Sequence, residues 1–251
     1  RKKEIGSEDE AGAKEQWEAY RNTLNSVAEE GYAYHMVKPG ETFSFNKVVG
    51  QRTAERGFQE AGVYVGADTV DQLGGGVCQV ASTVYYCTLQ AELEVIERTE
   101  HRYVPAYIPW GMDATVYWGS LDYQFRNNSS YPIRIEAECN SRYVIMKFVG
   151  TETRDYTLKF ESDSQITSRW EEKIVEMTPE EAAEKGYKDG QVIVDPYSAA
   201  KVKTYKYKYD KDGKEMKLLA LTTADGSAYC TNSATVCRSF ESAVTMFAQF
   251  G

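Results

Sequence analysis

Gly74-Gly75-Gly76-Val77-Cys78-Gln79-Val80-Ala81-Ser82-Thr83-Val84-Tyr85-Tyr86-Cys87 sets three glycines directly before a helical run, with a cysteine at the junction. At 100° per residue from Cys78, the residues Val80, Val84, Cys87 and Ala91 fall between about 180° and 240°, which predicts one buried stripe. Cys78 then lies on the opposite side in the first turn, and Cys87 points into the core. The separation matters because the thiolate is the reactive form of cysteine. Helix-end N–H groups and the helix dipole lower a thiol pKa from its usual value of about 8.5. Consecutive glycines let several backbone N–H groups aim at one point, so the amides around Gly76 and Val77 form a candidate oxyanion nest. Cys78 is therefore a candidate nucleophile. The competing reading is a structural cysteine after a loop that needs glycine only to turn.

A cysteine nucleophile commonly works with a histidine base. The chain has two, His35 and His101. His101, in Arg98-Thr99-Glu100-His101-Arg102-Tyr103-Val104-Pro105, follows the helix that Cys78 opens, and a strand returning beside that helix would bring it back to the thiol. His35 sits among strand-like residues before a turn and is the weaker candidate. Asp113, in Gly111-Met112-Asp113-Ala114-Thr115-Val116, is the acid best placed to orient the histidine; an exposed loop aspartate is the alternative. No metal is expected, because CxxC and HExxH are absent and two distant histidines supply few ligands. The glycines lack the Gly-Lys-Ser/Thr that completes a phosphate-binding loop.

Further out, Ser7 and Glu10 form a capping-box pattern, Trp17, Tyr20, Leu24 and Val27 recur at helical spacing, and Gly31 suits a helix end. A helix over 7–30 follows. Val37-Lys38-Pro39-Gly40 reads as a turn and Thr42–Asn46 alternates like a strand. The second helix is predicted over 78–98. Strands return over 103–149, including 131–137 and 143–149 about a turn at Asn140-Ser141. After about residue 150 polar strands alternate with turns. A short helix is capped by Thr178-Pro179-Glu180-Glu181 and closed by Gly186, and Asp212-Gly213 signals a two-residue hairpin. The expected fold class is α+β, a mixed helix and antiparallel-sheet domain. The expected division is an N-terminal helical segment 1–36, a central domain 37–149 and a small β-rich domain 150–251.

Composition bounds the function. The chain has 251 residues, 42% apolar and 27% charged, enough to bury a core. Its net charge of −9 disfavours nucleic acid as a main partner. No apolar run reaches the roughly 18 residues of a membrane-spanning helix. The chain opens Arg1-Lys2-Lys3 with no apolar signal-peptide core behind it, which fits a cytoplasmic protein or a chain trimmed after a signal or anchor. The nineteen tyrosines suggest sugar stacking, though half-buried strand tyrosines are the commoner case.

Several blocks resemble one family in its order across about 37–137. These are Val37–Asn46, Gly50-Gln51-Arg52-Thr53, Gly74–Thr83, Arg98–His101, Gly111–Val116 and Phe125-Arg126-Asn127-Asn128. They resemble a VanW domain, and the tail resembles the β extension that often follows one. Ala81-Ser82-Thr83 departs conservatively from the family's Ser-Thr-Thr. The resemblance implies a Gram-positive envelope protein, extracytoplasmic in the wall or membrane-anchored through a segment outside this chain. It implies peptidoglycan stem peptides as partners, no cofactor, and Cys78, His101 and Asp113 as the family's cysteine, histidine and aspartate. Some members are linked to L,D-transpeptidase activity, which forms 3→3 cross-links through a cysteine acyl-enzyme. Arg52, Arg126 and Asn128 are then candidates to hold substrate carboxylates. The alternatives are a wall-binding module without chemistry, and a cysteine peptidase or amidase on the same Cys-His site. Of the five cysteines, Cys230 and Cys237 flank a turn-like run and are spaced for a disulfide, which an extracytoplasmic setting would permit. Cys78 then stays free, with Cys87 and Cys139 as buried thiols; two unpaired thiols in the tail are the alternative.

Overall fold

The structure is a computed structural model that describes residues 5–6, 34–58, 60–65, 68–139, 143–194, 197–220, 227–229 and 234–239. The expected 7–30 helix, the Asn140-Ser141 turn and the Cys230–Cys237 pairing lie outside the described residues.

In chain order the strands begin with β1 (Ile5–Gly6), β2 (Tyr34–Val37) and β3 (Thr42–Ser44). Helix α1 (Phe45–Val49), β4 (Glu60–Val65), β5 (Asp68–Leu73) and helix α2 (Val77–Ala91) follow. Then come β6 (Glu94–Glu97), β7 (Gln124–Arg126), β8 (Ile133–Cys139), β9 (Tyr143–Val149), β10 (Thr157–Ser168) and β11 (Glu172–Met177). The chain continues with helix α3 (Pro179–Glu184), β12 (Val192–Val194), β13 (Ala199–Tyr209), β14 (Glu215–Ala220), β15 (Ser227–Tyr229) and β16 (Ala234–Ser239). The described strands pair as β1-β9-β8-β2, β3-β7-β6, β4-β5, β10-β13-β14 with β15 also on β13, and β11-β16-β12. Every pairing is antiparallel except β11 with β16. The protein is thus a mixed α+β structure, few helices among antiparallel sheets. Among the described residues no helix is long and apolar enough to cross a membrane.

The core lies where α2 meets the β8–β9 and β3–β7 sheets. Phe43 and Phe125 stack with centroids 5.0 Å apart, and Tyr123, Phe45, Val84 and Ile135 close around them with no or almost no exposure. Alternation had suggested a strand through Asn46, but it stops at Ser44. Ser44 is an N-cap whose hydroxyl accepts from the Lys47 amide, and Asp122 accepts from the Asn46 amide at 2.8 Å, so the chain turns into α1.

Helix α2 departs from the wheel drawn on its sequence. It is enclosed nearly all round rather than along one stripe, with Val77, Val80 to Tyr86, Thr88 and Leu89 all buried. Its buried hydroxyls are satisfied within the helix: Ser82 donates to Cys78 O at 2.8 Å, Thr83 to Gln79 O at 2.8 Å and Thr88 to Val84 O at 2.9 Å. Cys87 is half-buried, its sulfur 3.7 Å from Met146 O on β9. The helix also ends at Ala91, not 98. Glu92 takes φ 55°, a left-handed value rare outside glycine, and its amide bonds back to Leu89 O and Thr88 O. The Glu92 carboxylate is held there by Lys206 at 2.7 Å, Lys208 at 2.9 Å and the Tyr156 hydroxyl, all from later in the chain. The β-branched Val95 and Ile96 then continue as β6 instead of helix.

The β8–β9 pairing and the α3 capping box follow their sequence signals. The Asp212-Gly213 connection is wider than a two-residue turn: β13 and β14 last pair at Tyr209 and Glu215, and Asp210 Oδ1 accepts from the Asp212 and Lys214 amides. Residues 98–123 form an irregular loop where further strand had been expected. Strands β10 and β13 brace this loop from outside. Ser162 donates to Trp110 O at 2.5 Å, and Trp110 and Val104 pack on buried Ala200 and Val202. A Cβ on Gly111 would lie 2.4 Å from Thr204 Oγ1, so only glycine fits there.

Candidate active site

Cys78 is the second residue of α2 and its sulfur lies 3.5 Å from Val116 O. Gly76 caps the helix at φ 82°, and the turn is closed by Val77 N to Gly74 O at 3.2 Å and Gln79 N to Gly76 O at 3.0 Å. The Val77 amide, a predicted oxyanion donor, is therefore engaged. The Gly76 and Cys78 amides have no acceptor among the described residues and are the N–H groups this helix start leaves open.

The irregular loop brings His101 and Asp113 to the same place. His101 Nδ1 is 2.7 Å from Asp113 Oδ2, and the His101 amide donates to that oxygen at 2.7 Å. The second carboxylate oxygen accepts from Arg98 Nη2 at 3.1 Å, while Arg98 Nε donates to the Asp113 carbonyl at 2.7 Å. Asp113 has no solvent exposure. A buried carboxylate is tolerable only when paired and hydrogen-bonded, and this one is both. The Thr115 amide bonds to Thr99 O at 2.8 Å, which ties the 98–101 and 113–116 segments together. Ser82, four residues after Cys78, accepts from the Ala114 amide at 2.9 Å and fastens that pair of segments to α2.

With Nδ1 committed to Asp113, Nε2 of His101 is left to face the thiol, and the Tyr107 hydroxyl sits 3.1 Å from it. Burial of Cys78 pushes its thiol up. The hydrogen bond and charge of His101, with the charge of Arg52, outweigh that and leave the thiol below its ordinary range. Burial likewise pulls His101 down. The hydrogen bonds and charges of Asp113 and Cys78 outweigh it and raise the imidazole to about 9. Both shifts run toward a thiolate–imidazolium pair, the reactive state of a cysteine nucleophile.

Of the other predicted residues, Arg52 comes to the start of α2 and the rest are placed elsewhere. Arg52 is folded inward, its Nη1 donating to Asn46 Oδ1 at 2.8 Å and to Gly50 O at 3.0 Å. Arg126 pairs with Glu94 at 3.2 Å at the exposed edge where β7 meets β6, and Asn128 is exposed in the loop beyond. Neither is among the groups that chiefly shift Cys78 or His101. His35 lies on β2 with its ring edge-on to Phe43, centroids 5.4 Å apart, and burial lowers its pKa.

The family description "VanW like protein" matches residues 21–149, a span that contains all of these groups. The chain belongs to the VanW family. Over 130 residues it is 38% identical to an uncharacterized protein, YoaR, of Bacillus subtilis (strain 168), covering 49% of this chain and 43% of that protein. Over 117 residues it is 26% identical to the vancomycin B-type resistance protein VanW of Enterococcus faecalis (strain ATCC 700802 / V583), covering 44% of this chain and 42% of that protein. The chain thus matches less than half the length of either relative. No solved structure matches it.

Arg98, Ser82 and Tyr107 escaped the sequence reading as parts of this VanW site. Arg98 stood inside a quoted block but its partner is fifteen residues away, across a loop with no periodicity to follow. Ser82 had a usable signal, since it shares a helix face with Cys78 at i+4. Tyr107 had none.

Proposed function

We propose that this VanW domain is a cysteine L,D-transpeptidase acting on peptidoglycan stem peptides outside the cytoplasm. The reading is carried by the series Cys78–His101–Asp113–Arg98, in which an enclosed, fully bonded carboxylate orients an imidazole beside a helix-start thiol whose pKa is lowered. The Cys78 sulfur attacks the carbonyl of the third stem residue. The negative charge on the carbonyl oxygen falls toward the Gly76 and Cys78 amides. The C–N bond to the terminal D-Ala breaks as His101 gives its Nε2 proton to the leaving amine, and a thioester remains. The side-chain amine of a second stem attacks that thioester, His101 takes its proton, and the electron pair of the C–S bond returns to sulfur. Asp113 keeps Nδ1 protonated throughout, so proton traffic uses Nε2 alone.

A relative named for resistance to vancomycin, an antibiotic directed at the wall, supports this substrate class. So does the turn after Val116. Tyr117 and Trp118 are 64% and 44% exposed there, on a turn closed by Tyr117–Leu121 backbone bonds of 2.8 and 3.0 Å. A three-residue stem spans at most about 10 Å, so the sugar bearing it comes within reach of this aromatic pair. The test is purified protein with disaccharide-tetrapeptide, followed by mass spectrometry of the products. A dimer that has lost one D-Ala, made by the native protein and absent with Cys78→Ala, supports the reading. Identical products from both proteins would exclude it. Release of D-Ala without dimer would make water the acceptor and the enzyme a carboxypeptidase.

A further inference from the structure

Two positive groups stand beside the sulfur, and only one of them changes charge during the reaction. Arg52 reaches the start of α2 from the loop after α1. Its stem lies so close to Gly74 that a Cβ there would sit 2.8 Å from Arg52 Cγ, and Gly74 holds φ 94°. Its guanidinium is 5.7 Å from the centre of the Phe45 ring. Nη1 is spent on Asn46 and Gly50, and Asn46 in turn donates to Leu121 O at 2.8 Å, on the turn that Val116 leads into. The arginine is thereby gripped from the glycine turn and from the segment whose carbonyl touches the thiol. Nη2 is buried and has no hydrogen-bond partner among the described residues.

A buried, charged donor without a partner is costly, so the arrangement lacks an anion. Asp122 is the nearest carboxylate in the electrostatics of Arg52, but its oxygens are taken. One accepts from the Ser44 hydroxyl at 2.5 Å, the other from the Asn46 and Tyr123 amides at 2.8 Å each. Arg56, the other charged neighbour, is a cation and repels. The remaining anion is Cys78 in its thiolate form.

We infer that Arg52 is a positioning residue: a permanent cation, locked by Asn46, Gly50 and Gly74, that holds the Cys78 sulfur anionic when His101 has given up its proton. Burial lowers Arg52 only to about 10, partly offset by the charges of Cys78 and Asp122, so it stays charged at neutral pH. An arginine suits the task because one nitrogen of its fork anchors the group while the other keeps a free donor. In the stages this role serves it rests on the transpeptidase reading. After His101 has protonated the leaving amine, the imidazole is neutral. When the thioester breaks and the C–S electron pair returns to sulfur, Arg52 is the charge already in place.

The test needs no substrate. The rate of Cys78 alkylation by iodoacetamide is followed against pH in the native protein, Arg52→Gln and Arg52→Lys, with circular dichroism to confirm folding. For Arg52→Gln the rate at pH 6.5 falls about tenfold and the midpoint moves up by about one pH unit, while Arg52→Lys recovers most of the loss. A folded Arg52→Gln whose profile overlays the native one overturns the inference. If Arg52→Gln does not fold, the guanidinium nitrogen resonance of Arg52 is compared in native protein before and after alkylation. Movement supports the pairing, and an unmoved signal refutes it. A shifted alkylation profile in a protein that makes no cross-links would keep the Arg52 role and discard the reaction; cross-linking with an unshifted profile does the reverse.

Discussion

Replacing Asp113 by Asn preserves shape and removes one charge from a carboxylate with no solvent exposure. Two consequences can be sized. Folding raises His101 from its ordinary 6.5 to about 9, which corresponds to about 3 kcal/mol of stabilised imidazolium at roughly 1.4 kcal/mol per pH unit. Asp113 supplies the first of the interactions that raise it. The substitution also strips Arg98, whose side chain is 13% exposed, of its buried partner, a class of change that costs about 3–5 kcal/mol. The two figures overlap and do not add. Because the His101 pKa rises on folding, its contribution is complete below pH 6.5 and is lost as pH climbs through about 9. Asp113→Asn should therefore be less stable than native by about 3–5 kcal/mol at pH 6. The gap should shrink by up to about 3 kcal/mol by pH 10, leaving the Arg98 share. Chemical denaturation at pH 6, 8 and 10 measures this. A gap of the same size at all three values would show that Asp113 does not hold an imidazolium, and the proposed proton path through Nε2 would fall with it.

The pH dependence of kcat/KM should be bell-shaped, with the basic limb near pH 9 where His101 loses its proton and the acid limb below the ordinary thiol range; a profile rising beyond pH 10 would contradict the ion pair. Ser82→Ala leaves the Ala114 amide buried without its 2.9 Å acceptor, so stability should drop by about 1–3 kcal/mol and turnover should fall through misplacement of Asp113, read by denaturation and product formation. Trp118→Ala should raise KM for disaccharide-tetrapeptide while leaving free tetrapeptide unchanged, and equal effects on both substrates would remove the sugar-stacking role. Glu92→Gln weakens the anchor of Lys206 and Lys208 at the end of α2 and should lower stability at neutral pH by about 1–3 kcal/mol. Burial pushes the Glu92 carboxyl up, but its lysine and tyrosine partners bring it down to about 2, so this difference should hold above pH 4.5 and vanish as pH falls through 2.

What was legible in the sequence was local. The glycine run and Cys78 announced a helix start, Thr178-Pro179-Glu180-Glu181 announced a capped helix, and the alternation in 131–137 and 143–149 announced a strand pair. Each of these signals rests on neighbours within about four positions. His101 and Asp113 were marked as candidates because they are the residue types this chemistry needs. Their meeting at 2.7 Å has no local cause, since it lies in an irregular loop.

By itself, then, the sequence determined the family, the α+β class and which residues were candidates for the site. The reason is that residue type, capping chemistry and short-range periodicity are properties of the chain alone. Tertiary structure decided the rest. It ended α2 at Ala91, because Lys206, Lys208 and Tyr156 hold Glu92 in a left-handed turn that local preference would not choose. It wrapped α2 nearly all round, because residues distant in sequence pack on it and its hydroxyls could bond to their own helix. It turned Arg52 inward to the helix start, where Gly74 leaves just enough room for its stem. Each of those outcomes depends on groups distant in sequence sharing one low-dielectric volume, where an unpaired charge or an overlapping atom costs too much to be left in place.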